Sequence, residues 1–98
     1  MAKYYLQSYG FKHLSSRFKL SYAEIDLIMQ YKNQLIGIEV KYRANKKDLV
    51  DIISPTKVDK LSKALTAFQQ KNLLNNKDLR IDIILIANNY IEWIKNVD

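Results

Sequence analysis

The chain has no cysteine among its 98 residues. That excludes a disulfide framework, a thiolate zinc site and a cysteine nucleophile. Glycine occurs twice and proline once, so no linker, repeat or low-complexity tract is marked by composition. Gly10 and Gly37 stand isolated, and no glycine-rich loop exists to cradle a nucleoside triphosphate. The single histidine, His13, has no acidic neighbour before Glu24 and reads as a surface or half-buried side chain. Ser15 and Ser16 lack the glycines of a nucleophile elbow, which argues against a serine hydrolase. Apolar runs are strand-length, broken by Asp26, Glu39 or Asp82, and fall far short of a membrane span. Met1–Leu6 lacks the apolar stretch of a secretory signal. These absences lead us to expect one soluble domain over residues 1–98, cytoplasmic and without a membrane partner. The 48% hydrophobic content suffices for a single packed core.

Acids are also scarce. Sixteen Lys and Arg oppose ten Asp and Glu, giving a net charge of +6. Basic residues cluster as Lys3, Lys12, Arg17 and Lys19, then Lys41, Arg43, Lys46 and Lys47, then Lys57, Lys60 and Lys63. Such a balance points to a polyanionic partner, nucleic acid before an acidic membrane surface. Lysine as a generic solubiliser accounts for the same composition.

The order of elements follows from pattern. Ala2–Ser8 predicts the last turns of a helix, stopped by Gly10. A strand follows over about Phe11–Lys19. Two alternating runs, Ala23–Tyr31 and Gln34–Tyr42, flank Lys32-Asn33, where Asn tolerates the positive φ of a tight hairpin. Ala44–Val50 is polar and reads as a loop. Ser54-Pro55 is a helix start, an N-cap followed by proline at the first helical position. Val58, Leu61, Ala64, Leu65 and Phe68 then form one apolar face, in a helix expected to reach about Leu74. Arg80–Ala87 reads as a strand, Asn88-Asn89 as a turn and Tyr90–Asn96 as a last strand. The fold class is α/β, in the order α-β-β-β-α-β-β.

Strand alternation then places the chemistry. Ile25, Leu27 and Met29 are expected on one face of the second strand, Glu24 and Asp26 on the other. Ile36, Ile38 and Val40 take one face of the third, and Gly37, Glu39 and Lys41 the other. Paired as a hairpin, one sheet face carries Glu24, Asp26, Glu39 and Lys41. Carboxylates amid apolar neighbours are costly unless neutralised. A divalent cation would do so, and oxygen-only ligation favours Mg²⁺ or Mn²⁺ over zinc. Against this, an acid-x-Lys triplet arises about once by chance in so basic a chain. Cross-strand Glu/Lys pairs are also common on solvated sheet faces.

Glu24-Ile25-Asp26-Leu27-Ile28, followed by Ile38-Glu39-Val40-Lys41-x-Arg43, resembles the YraN-like family of bacterial proteins, with its GEIDLI and VEVK-x-R segments. Ile53-Ser54-Pro55-Thr56-Lys57, with Leu61, Ala64 and Phe68, is similar to the family's V-T-P-x-K helix. Arg80-Ile81-Asp82-Ile83-Ile84 is similar to its R-F-D-V-I strand, and Leu6 with Gly10-Phe11 to its start. The resemblance covers nearly the whole chain in order. It implies a restriction-endonuclease-like PD-(D/E)XK core, a mixed five-stranded sheet with flanking helices, similar to archaeal Holliday-junction resolvases. By resemblance Asp26 and Glu39 are the metal-binding acids, with the Val40 carbonyl as a further ligand; Glu24, placed on the same face by alternation, is the candidate third carboxylate. Lys41 matches the lysine that orients the attacking water, and the implied cofactor is Mg²⁺ or Mn²⁺. Lys57 matches the helix lysine; Arg43, Lys57, Lys60 and Arg17 are the expected phosphate contacts.

Ala23 replaces the family's Gly, and Ser16-Arg17 stands where the family has Arg-Asn. The family's first helix also carries a glutamate that falls before Met1, so the first helix is expected to be truncated. The resulting expectation is metal-dependent hydrolysis of structured or branched DNA, with a homodimer by analogy with resolvases. Two alternatives stand beside it. One is a nucleic-acid-binding module of the same fold with weak or no catalysis, the other a small structural or dimerisation partner.

Overall fold

The computed structural model describes residues 1–42, 53–88 and 90–98. Its elements are α1 (Ala2–Gln7), β1 (Lys12–Lys19), β2 (Glu24–Tyr31), β3 (Gln34–Tyr42), α2 (Pro55–Lys71), β4 (Asp78–Ile86) and β5 (Ile91–Ile94). This is the expected α-β-β-β-α-β-β order. The five strands form one sheet in sequence order. Neighbours are antiparallel except β3 and β4, which run parallel. A parallel neighbour needs a crossover, and α2 lies within that connection. The result is an α/β fold with a mixed sheet, consistent with a restriction-endonuclease-like core.

Alternation divides the core between the two faces of the sheet. Leu27, Met29, Ile36, Ile38, Ile84 and Ile86 pack with Ala2 and Leu6 of α1. Leu35, Ile28 and Ile81 pack with Leu61, Ala64, Leu65 and Phe68 of α2. The predicted stripe of α2 is therefore its buried face. Gly37 permits its close approach, since a β-carbon there would lie 3.1 Å from Ile81 and 3.5 Å from Leu65. No helix among the described residues is long and apolar enough to cross a membrane.

Local signals held where backbone chemistry decides them. Ser54 caps α2, its hydroxyl accepting from the Lys57 N–H at 3.4 Å, with Pro55 in the first turn. Gly10, at φ 91°, follows α1 as expected. The hairpin turn differs in one respect. Its left-handed residue is Lys32, at φ 52°, and not Asn33. The Asn33 carbonyl instead accepts from Asp78 N–H at 2.9 Å, tying the turn to the start of β4.

The end of α2 also differs, closing at Lys71 rather than Leu74. Leu73 adopts φ 56°, and Leu74 N–H donates to the Gln69 carbonyl while Leu73 N–H donates to Gln70. This 6→1 and 5→2 pair is a Schellman closure, which ordinarily carries glycine at the left-handed position. Leu73 is 83% exposed, so little packing opposes its replacement. Leu73→Gly should raise stability by about 0.5–1 kcal/mol, because relief of the left-handed penalty exceeds the entropy glycine adds to the unfolded chain. Urea denaturation checks it. An unchanged or lower midpoint would show that the leucine side chain contributes where it lies.

Candidate active site

The site is built at the start of β2 and the end of β3. Their ladder runs from Tyr31↔Gln34 to Leu27↔Ile38 and ends at that pair. In place of a ladder bond, Val40 N–H donates to Asp26 Oδ2 at 2.8 Å. A carboxylate thus substitutes for a backbone carbonyl where the two strands part. Asp26 is half-buried there, its orientation fixed by β3 itself.

The expected alternation fails at this point, and the reason lies in β1. Ser16 pairs with Leu27 and Phe18 with Ile25, which brackets Arg17 opposite Asp26. Arg17 takes φ 54°, a left-handed conformation that costs a non-glycine residue roughly 1 kcal/mol or more. Across it the side chains change sides. Leu27 packs with the α1 cluster, whereas Ile25 packs with the α2 cluster beside Phe18. Ile25 therefore does not share a face with Leu27 and Met29, contrary to the sequence expectation. Strain of this kind gathers where a fold holds functional groups in place.

Glu39 is half-buried next to Asp26. Its carboxyl is pushed up to about 8, first by burial, then by a hydrogen bond to the Asp26 side chain and by Asp26's charge; Lys41 and Lys57 act in the opposite direction. Asp26, Lys41 and Lys57 all lie within electrostatic reach of Glu39. Glu24 is directed elsewhere, its Oε1 accepting from Arg17 Nε at 3.1 Å. Among the described residues no three His, Cys, Asp or Glu side chains converge as a metal cluster. The acids gathered here are two, not three. Lys60 is exposed on α2 beyond Lys57. Arg43 lies outside the described residues, as do the loop expected over 44–50 and Asn89 of the expected turn.

Beside Asp26 opens a cleft of about 300 Å³, bounded by Lys3, Ser16, Arg17, Val40 and Tyr42. Lys3 and Tyr42 had no expected role. Neither carries a motif; they reach the cleft through the packing of α1 and the length of β3. His13 is half-buried, as expected, and sits 2.7 Å from Ser16 Oγ through Nε2.

The raised Glu39 carboxyl has a consequence for stability. Between about pH 4.5 and 8 the folded state keeps a proton that the unfolded state has released. Stability then falls as pH rises across that window and levels off above it. Melting curves without divalent ions should show wild type losing stability relative to Glu39→Gln between pH 5 and pH 9. Parallel profiles for the two proteins would show that Glu39 titrates normally.

The comparisons agree with the residue pattern. The model of the uncharacterised protein family UPF0102 matches residues 1–86. A UPF0102 protein of Neisseria gonorrhoeae is 38% identical over 96 residues, covering 95% of this chain and 84% of its own. One from a Sulfurihydrogenibium species is 34% identical over 94 residues, covering 94% and 82%. One from Vibrio vulnificus is 34% identical over 102 residues, covering 98% and 84%. With a matching core and matches that span almost its full length, the chain belongs to UPF0102, the YraN family.

Proposed function

We propose that the protein is a metal-dependent nuclease that hydrolyses phosphodiester bonds in DNA, with branched or otherwise structured DNA as its substrate. The observation that carries this reading is the fork between β2 and β3. There Asp26, held by Val40 N–H, meets Glu39 within reach of Lys41 and Lys57. The donor set fits a hard cation, since both side chains offer oxygen and the Val40 carbonyl would supply a third. Asp26 and Glu39 would hold Mg²⁺ or Mn²⁺, which when bound neutralises phosphate charge and makes water a better nucleophile. Lys41 orients that water and offsets charge on the phosphate. Lys57 and Lys60, exposed at the start of α2, engage the flanking backbone, with the net charge of +6 drawing the polyanion in.

A second reading has its own observation. Glu24 is paired with Arg17, so the fork holds two carboxylates rather than three, which favours a nucleic-acid-binding module with weak catalysis. Metal binding and cleavage separate the readings. At ten times its dissociation constant, Mg²⁺ or Mn²⁺ should raise the melting temperature by about 5–10 °C, and Asp26→Asn should remove the increment. Cleavage of a four-way junction under the same conditions supports the nuclease. A metal shift without cleavage supports the binding module, and an undiminished shift in Asp26→Asn places the cation elsewhere.

A further inference from the structure

At the other end of β2 the protein gathers aromatic rings on the α1 face. Tyr9 meets Trp93 at 5.6 Å between centroids, Trp93 meets Phe11 at 5.1 Å, and Phe11 stacks on Tyr31 at 4.8 Å. Phe11 is buried and belongs to the core, but Tyr31 and Trp93 are only half-buried and Tyr9 is 56% exposed. Together with Arg80 and Lys95 these four rings wall a pocket of about 330 Å³, at the lower end of the roughly 300–1,000 Å³ of small-ligand sites.

The charges that line it are of one sign, with the Asp82 carboxylate behind the wall taken up by Arg80 and Trp93. Lys95 Nζ lies 4.3 Å from the Trp93 ring centroid, and Lys32 Nζ lies 5.3 Å from that of Tyr31. Neither ammonium has a carboxylate partner among the described residues. Arg80 is already committed, donating to Asp82 and Gln34. No carboxylate lines the pocket. Partly open π faces bordered by ammonium groups without carboxylate partners suit a flat aromatic ring attached to an anionic group.

We infer that this pocket binds an unpaired base of a single-stranded nucleic acid, stacked on Tyr9 and Trp93, with Lys95 on the adjoining phosphate. Base stacking on aromatic side chains is sequence-tolerant, and arrays of such rings beside lysines are how single strands are held. The site is separate from the carboxylate fork. Asp26 and Tyr31 stand five residues apart on β2, on the order of 17 Å at the rise of a strand. It does not depend on metal at Asp26 and Glu39.

Trp93 is the protein's single tryptophan, so its fluorescence reports on this pocket. A short oligothymidylate, titrated without divalent ions, should quench it saturably, and more weakly as salt rises. Tyr9→Ser should weaken binding by roughly fivefold or more through lost stacking. Lys95→Gln should weaken it as well and make the log-log salt slope shallower by about 0.7, the mark of one lost single-strand phosphate contact. Neither change touches the Asp82 hydrogen bonds, and melting temperature monitors the folding of both. Asp26→Asn should bind as wild type, which keeps this result distinct from that of the proposed nuclease. Absence of quenching, or unchanged binding in Lys95→Gln and Tyr9→Ser together, overturns the inference. Equal quenching by a duplex of the same length overturns the requirement for an unpaired base. Quenching by an acidic, tyrosine-containing peptide but not by the oligonucleotide would reassign the pocket to a protein partner.

Discussion

Lys41→Ala should slow Mg²⁺-dependent cleavage of a four-way junction by roughly 10²–10³-fold, the usual cost of removing one preorganised electrostatic group from a phosphoryl or acyl transition state. DNA affinity should change by no more than about fivefold, because an interaction that strengthens only as charge develops affects rate before binding. The position of Lys41 supports this division. It lies two residues beyond Glu39 on β3, and its charge acts directly on the Glu39 carboxyl. It is half-buried, unlike the exposed Lys57 and Lys60. Lys57→Ala should show the opposite balance, a loss of affinity that shrinks at high salt. A drop in affinity equal to the drop in rate for Lys41→Ala would make Lys41 an ordinary phosphate contact. The fork would then be left without a group for the attacking water.

Much of this arrangement can be read in the sequence because local chemistry dictates it. Ser54-Pro55 starts a helix wherever it stands before an apolar stripe, and α2 begins there. From Ile36 onward Gln34–Tyr42 alternates, with Ile36, Ile38 and Val40 against Gly37, Glu39 and Lys41, and β3 has those same bounds. The juxtaposition of Asp26 with Glu39 also follows from hairpin pairing. What the pattern conceals are residues whose conformation is set from a distance. Arg17 and Lys32 take positive φ without being glycine or asparagine, so neither announces a break in alternation. The side-switch of Ile25 follows from Arg17 and was illegible for the same reason. The last strand, expected over Tyr90–Asn96, is only Ile91–Ile94. It stops short because Asn96 turns left-handed at φ 57° and gives its N–H to Asp82. A partner in β4 decides where β5 ends, and nothing in the residues of β5 itself announces it. Arg80-x-Asp82 did carry a usable signal, since residues two apart on a strand share a face. Its meaning depended on Trp93 of the next strand and Asn96 just beyond it.

That convergence makes Asp82→Ala the substitution with the largest expected cost to stability, about 3–5 kcal/mol. Asp82 is fully buried, the sole charged or polar residue among the described residues to be so classed. Its two oxygens accept four hydrogen bonds. Arg80 donates from Nε at 2.9 Å and from Nη2 at 2.8 Å, Trp93 Nε1 at 2.9 Å and Asn96 N–H at 2.9 Å. Removing the carboxylate leaves the Arg80 guanidinium, only 14% exposed, without its counter-charge, and strands an indole N–H and a backbone N–H. It also removes the bond from Asn96, leaving the chain after β5 to be held by Val97 N–H donating to the Ile81 carbonyl and by Ile81 N–H donating to the Asp98 carboxylate. For a domain of this size the loss corresponds to a fall in melting temperature of roughly 15–30 °C. Asp82→Asn keeps the shape and one acceptor oxygen, and should fall between alanine and wild type. Glu24→Gln provides the contrast. It breaks an ion pair whose arginine is 82% exposed, and such pairs contribute at most about 1 kcal/mol. Chemical denaturation of the three variants tests the ordering. If Asp82→Ala lay within about 1 kcal/mol of wild type, the four hydrogen bonds would be replaceable by water. The bond from Asn96 could then no longer explain why β5 ends at Ile94.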